Sequence, residues 1–179
     1  MAQGEAISLL LRAYSLHQQL SFIQTVDKAI ITFQYPIFKG GVCANFNDGS
    51  LSFEEFPANP PSHVLNGSLF AILGVFDYLH YSNNPAIHQI FQQAISGLKQ
   101  NLFHYDTGYW TRYDLFPVQR LASRMYHKIH IQLLQVLSKL TGEAYFSQVA
   151  TKWKRYLSQP TSNLRWGFHK ITEKLATRF

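Results

Sequence analysis

Residues 65–79, LNGSLFAILGVFDYL, carry apolar side chains on almost every side of the helix they would form. A helix without a polar face is stable only where neighbours cover it all round. The pattern predicts a buried helix from about Val64 to Leu79. On its C-terminal side, Asn84-Pro85 offers a capping side chain and then proline at the first helical position. Ile87, Ile90, Phe91, Ala94, Ile95 and Leu98 follow on one stripe, as in an outer helix with one apolar face. On its N-terminal side, Val42–Phe46 and Leu51–Phe56 are β-type runs around Asn47-Asp48-Gly49-Ser50, a hairpin turn. Pro57 to Pro61 ends this inserted tongue.

Farther out the alternation recurs. Glu5–Gln18 is apolar nearly all round, as a helix buried on every side would be, whereas Phe22, Ile23, Val26, Ala29, Ile30 and Phe33 form a single stripe. MYHKIHIQLLQVLSKL, residues 125–140, is a third predominantly apolar helix ended by Thr141-Gly142. Phe146, Val149, Ala150, Trp153, Tyr156 and Leu157 then stripe a sixth. Buried helices beginning near residues 5, 65 and 125 predict an all-α fold: a partial α/α toroid of three inner-outer helical hairpins plus a C-terminal helix, with a β-hairpin inserted near residues 40–56. Three hairpins make an arc, so residues 1–179 are expected to be one domain, the C-terminal part of a longer toroid. In the tail, Leu164, Phe168, Ile171 and Leu175 share a stripe ringed by Arg165, Lys170, Lys174 and Arg178. An outer helix closing the arc is expected there, and the rival is a basic amphipathic helix on an anionic membrane or a polyanion.

Composition narrows the function. A hydrophobic content of 46% with 15% aromatic residues excludes a disordered chain and supports a real core. No apolar run approaches the ~20 residues of a membrane span, and no targeting segment is legible. Cys43 is the single cysteine, so neither an internal disulfide nor a zinc framework is expected, and the compartment stays open. A net charge of +6 favours an acidic partner.

The chemistry concentrates in His104–His130, HYDTGYWTRYDLFPVQRLASRMYHKIH, where four tyrosines, three arginines and three histidines fall in 27 residues. Its first half is too rich in Gly, Thr, Asp and aromatics for a helix, so its side chains are candidates for chemistry. His127 and His130 lack a carboxylate or third histidine at ligand spacing, which favours a structural role or a substrate hydrogen bond over metal. Arg112 reads as a solvated charge beside Trp110, and Glu54 as a plain strand residue facing away from Glu55.

Taken in order, AQGEAISLLLRAY, the hairpin ending in Glu54-Glu55-Phe56-Pro57, VLNG, YDTGYWTRYDL, YHKIHIQLLQVLSKLTGE and FSQVATKWKRYL resemble the C-terminal catalytic domain of the D-glucuronyl C5-epimerases. The resemblance covers nearly the whole chain to about Leu157. It implies an isomerase that converts D-glucuronic to L-iduronic acid within a heparosan-like or heparan sulfate-like polysaccharide, without metal or cofactor. The expected partner is thus an acidic polysaccharide containing glucuronic acid rather than nucleic acid, with a homo-oligomer or a partner chain completing the ring. The family setting implies the Golgi lumen in animals and the cell envelope or cytoplasm in bacteria.

Carried over residue by residue, the resemblance assigns catalytic roles to Glu55, Tyr113 and Tyr126, and assigns Asn66 to the sugar. The expected substrate-contact set is Asn66, Phe56, Arg112, Arg120, Arg124 and His127. Phe56 stands where the family commonly has tyrosine, and Phe116 where an arginine commonly follows Tyr-Asp-Leu. Arg120 or Arg124 is the candidate replacement for that guanidinium. Epimerisation removes a proton α to a carboxylate and returns it on the opposite ring face, which needs two proton carriers and a cation or donor facing the carboxylate. Glu55 and Tyr126 are the expected opposed pair, with Tyr113 stabilising the intermediate or sharing the relay. Two rivals remain: a polysaccharide lyase using the same proton abstraction, and a non-catalytic or incomplete module that binds acidic glycans.

Overall fold

In the computed structural model, which describes residues 1–176, seven α-helices and one small hairpin follow in order, with short 3-10 turns between some of them. They are α1 (Ala2–His17), α2 (Leu20–Ile30), β1 (Cys43–Asn45), β2 (Leu51–Phe53), α3 (Leu65–Tyr81), α4 (Pro85–Asn101), α5 (Arg124–Thr141), α6 (Ala144–Ser158) and α7 (Pro160–Ala176). The fold is all-α with an inserted β-hairpin. Internal contacts divide the chain into two compact units, Met1–Asn101 and Leu102 onward.

In the first unit, α1 and α3 run parallel and cross where Gly4 meets Gly74. A Cβ on Gly74 would lie 2.3 Å from the Gly4 Cα, so only two glycines permit this approach. Farther along, Arg12 reaches Asp77 at 2.9 Å and Tyr14 meets Tyr81 edge-on, which holds the pair in parallel register. α3 is buried on nearly every side, including Leu65, Asn66, Gly67, Ser68, Leu69, Ile72 and Val75. The stripes of α2 and α4 face the core through Ile23, Val26, Ile30, Ile87, Phe91 and Leu98. The Asn84 side chain caps α4, accepting from the Ala86 N–H at 3.0 Å.

The first helix corrects an expectation. α1 buries only Gly4, Ile7 and Leu11, while Leu9 and Leu16 are exposed, because it packs chiefly on α2 and α3 and neither covers that face. Apolar composition all round therefore did not mean burial all round.

The hairpin pairs Cys43 with Phe53 and Asn45 with Leu51. Its turn is built as the Asn-Asp-Gly-Ser run predicts: Gly49 takes φ 84°, and Asp48 Oδ1 accepts from the Ser50 N–H at 2.9 Å. Glu54 follows β2 and is not a plain strand residue. It is buried, and its carboxylate accepts from the Ser62 N–H at 2.9 Å, the Ser62 hydroxyl at 2.8 Å and the His63 N–H at 3.0 Å, with His63 Nδ1 at 2.8 Å. Burial works to raise this carboxyl, but the hydrogen bonds from His63 and Ser62 outweigh it and hold the group below its usual range. The clamp fastens the segment that launches α3.

In the second unit, α5 and α6 form an antiparallel-type hairpin joined at Gly142, whose φ of 74° closes α5 as the Thr-Gly signal predicts. α5 buries His127, His130, Ile131, Leu133, Leu134 and Leu137 but exposes Met125, Val136 and Leu140, so it is half-covered rather than enclosed. α6 turns Phe146, Ala150, Trp153 and Tyr156 inward. α7 departs from expectation: Leu164, Phe168, Ile171 and Leu175 are all exposed, and the opposite face packs instead. On that face Trp166 Nε1 donates to the Ala122 carbonyl at 3.0 Å. Arg178 lies outside the described residues.

Candidate active site

The segment 105–123 has no regular element, yet it is held tightly. The Arg112 N–H donates to Tyr105 O, Tyr113 N–H to Arg120 O and Ala122 N–H to Thr111 O, each at 2.8 Å. Trp110 is fully buried and donates through Nε1 to Ala122 O at 2.9 Å. Ser123 caps α5, accepting from the Tyr126 N–H at 3.2 Å.

These bonds bring Tyr113 and Tyr126 together, with ring centres 5.1 Å apart and planes tilted by 60°. Both are half-buried, so each is packed yet reachable. The Arg120 guanidinium lies 5.8 Å from the Tyr113 ring centre and 5.2 Å from that of Phe116, and it is ion-paired with the buried Asp114. The cation is thereby fixed beside both rings. Arg112 is half-buried rather than solvated, and its Nη2 donates to Phe116 O at 2.6 Å. Arg124 points elsewhere, its guanidinium 4.9 Å from the Trp166 ring.

His127 is corrected from substrate contact to positioning residue. It is completely buried, stacked on Trp110 at 4.1 Å, with both ring nitrogens engaged inside the unit. Nε2 faces the Trp153 carbonyl at 3.1 Å, which can only accept, so the proton sits on Nε2. Nδ1 must then accept from the Thr111 hydroxyl at 2.9 Å, and that oxygen accepts from His130 Nδ1–H at 3.1 Å. The chain of bonds fixes both tautomers. Burial pushes His127 down to about 4, and burial followed by the neighbouring His127 pushes His130 down to about 3, so both rings are neutral near pH 7. Thr111 lies inside the YDTGYWTRYDL motif, but nothing in its residue type marked it for a role. Its hydroxyl ties the Tyr113 loop to α5 through His127 and His130.

In the first unit, Glu55 lies against Gly67 in the first turn of α3, the residue that follows Asn66. A Cβ on Gly67 would lie 2.8 Å from Glu55 Oε2 and 2.9 Å from Glu55 Cβ, so the absent side chain is what admits the glutamate there. Glu55 Oε2 and Asn66 Oδ1 are both buried without a hydrogen-bond partner. Unpartnered buried acceptors cost free energy and mark places where a ligand's donors would be welcome. Phe56 beside them is exposed. Among the described residues no group of three His, Cys, Asp or Glu side chains is placed to hold a metal ion, and no helix is long and apolar enough to cross a membrane.

The model of the D-glucuronyl C5-epimerase C-terminus matches residues 1–155, a span that holds Glu55, Asn66, Tyr113, Arg120, Tyr126 and His127. This chain belongs to that family. It is 32% identical over 173 residues to a D-glucuronyl C5-epimerase of Caenorhabditis elegans, covering 87% of this chain and 28% of that protein. It is 25% identical over 158 residues to an uncharacterized protein of Methanocaldococcus jannaschii, covering 86% of this chain and 50% of that one. The chain thus spans half or less of the curated relatives it matches. The whole of α7 lies beyond the matched residues.

Proposed function

We propose that this chain is a carbohydrate epimerase that inverts C5 of D-glucuronic acid within an acidic polysaccharide of the heparosan type. The paired half-buried phenols of Tyr113 and Tyr126, with the Arg120 cation set beside Tyr113, are the observation that carries this reading. The C5 hydrogen is acidic only if negative charge developing on the substrate carboxylate is stabilised, and a guanidinium does this in a fixed fork geometry. Arg120 fills that role here. Its position over Phe116, the residue standing where the family pattern has arginine, supports it as the replacement cation.

The roles follow from the proton balance. Glu55 and Tyr126 are the two proton carriers: one takes the C5 proton as the C–H electron pair moves toward the carboxylate, and the other returns a proton to C5 on the opposite ring face. Tyr113 donates to the developing oxyanion, and Asn66 hydrogen-bonds the sugar. Incubation with a glucuronic acid polymer in deuterated water tests the reading. Deuterium at C5 with iduronate in the product is expected, and Tyr126→Phe and Tyr113→Phe should each cut exchange by ~10²-fold or more. An unsaturated product would mean the lyase reaction, and binding without exchange would mean a glycan-binding module.

A further inference from the structure

The apolar stripe of α7 is left outward in a defined orientation. Leu164, Phe168, Ile171 and Leu175 are 63%, 69%, 58% and 53% exposed, and at 100° per residue they fall within one narrow face. The opposite face is fastened to its own unit. Ser162 is buried, Trp166 Nε1 donates to Ala122 O at 3.0 Å, and His169 Nε2 lies 3.4 Å from Gln119 O. Turning the stripe inward would break these contacts, so exposure is built into the packing.

The charges are placed with the same order. Arg165 and Lys174 are exposed and sit on opposite flanks of the stripe, close to a right angle from its centre on either side. The Arg165 guanidinium rests 4.1 Å over the Tyr109 ring, which holds it at that edge. Lys170 also lies on the Lys174 side, and the carboxylate of Glu173, 2.6 Å from its ammonium, is on the packed side. Along the helix, three cations stand against one carboxylate.

We propose that α7 is a peripheral membrane-contact helix that lies in the plane of an anionic phospholipid surface, stripe in the acyl boundary and flanking cations at the headgroups. Four large apolar side chains select a lipid boundary over a polyanionic chain, which would meet cations alone. Cations on both edges select anionic over zwitterionic lipid. A second copy of the chain fits less well. The stripe offers four large side chains on one helix, against the roughly 20–30 residues a side of a standard stable interface. No described helix can cross a membrane, so the contact is interfacial.

Sedimentation of the whole chain with phosphatidylcholine vesicles, with and without phosphatidylserine, tests this. Binding to the phosphatidylserine vesicles that weakens with added salt is expected. Phe168→Gln with Ile171→Gln should lower that affinity ~100-fold or more, since burying each such side chain favours binding by about tenfold or more. Arg165→Gln with Lys174→Gln should lower it by roughly tenfold or more on the same vesicles, and hardly at all on phosphatidylcholine alone. The substituted side chains are exposed, and tryptophan fluorescence and circular dichroism report whether the variants remain folded. No vesicle binding at low salt overturns the proposal, as does undiminished binding by the folded Phe168/Ile171 variant. Equal binding to both vesicle types overturns the anionic assignment. A dimer that the same double substitution disperses, without vesicle binding, assigns the face to a second copy instead.

Discussion

Thr111→Val should destabilise the second unit out of proportion to its size. The side chain is fully buried, and valine has nearly its shape, so the change removes one hydroxyl and little packing. Among the described residues that hydroxyl is the one hydrogen-bond partner of either facing nitrogen: it donates to His127 Nδ1 at 2.9 Å and accepts from His130 Nδ1 at 3.1 Å. Without it a buried acceptor and a buried donor are both orphaned, each at ~1–3 kcal/mol. The added methyl recovers at most about 1 kcal/mol, so a net loss of about 2–5 kcal/mol is expected. Thr111→Ser keeps the hydroxyl and should lose only ~1 kcal/mol. Urea unfolding followed by tryptophan fluorescence reads the right part of the molecule, because Trp110, Trp153 and Trp166 are the three tryptophans and all lie in the second unit. If valine costs less than about 1 kcal/mol, or serine costs as much as valine, the bridging role of the hydroxyl is refuted.

Acid should weaken the same unit. His127 and His130 have folded values below the ordinary histidine range, so below about pH 6.5 the unfolded chain binds more protons than the folded one and stability falls as pH falls toward 4. Each ring should cost on the order of 2 kcal/mol between pH 7 and pH 5; urea midpoints that do not move over that range would contradict their neutral burial. Phe56→Tyr should raise C5 deuterium exchange by ~10²–10⁴-fold if a phenol there serves as a proton carrier, while its 42% exposure keeps the stability change within about 0.5 kcal/mol. Brisk exchange by the parent chain and no gain in the variant would show that Glu55 and Tyr126 suffice. Gly67→Ala should displace Glu55 from the first turn of α3 and reduce exchange by ~10-fold or more, as small misplacements of reacting groups do, without moving the tryptophan-monitored unfolding of the second unit. Unchanged exchange in that variant would remove Glu55 from the proton relay.

Local chemistry was legible in the residues alone. The stripes of α2, α4 and α6 announced their core faces because a helix with one apolar side can bury only that side. Asn84, Asp48-Gly49 and Gly142 marked a cap, a turn and a helix end because each solves a backbone problem within a few residues of itself. The order of motifs from Ala2 to Leu157 likewise carried the family, since it needs no contact to be recognised.

What only the tertiary structure decided depends on partners distant along the chain. The makeup of α1 and α5 states how much apolar surface they carry, not whether a neighbour covers it, and Leu9, Leu16, Val136 and Leu140 stay in water. Strand alternation pointed Glu54 outward, but its carboxylate is drawn in by N–H groups eight and nine residues later. His127 looked available for substrate because its neighbour Tyr126 is, until Thr111 and Trp153 claim both its nitrogens from 16 and 26 residues away. The stripe of α7 had the periodicity of a core face, but the opposite face is the one that packs, with Ser162 buried and Trp166 bonded to Ala122 O 44 residues back along the chain. Hydrogen bonds satisfied over such separations are set by how the elements pack, and packing is the step that periodicity along one segment does not contain.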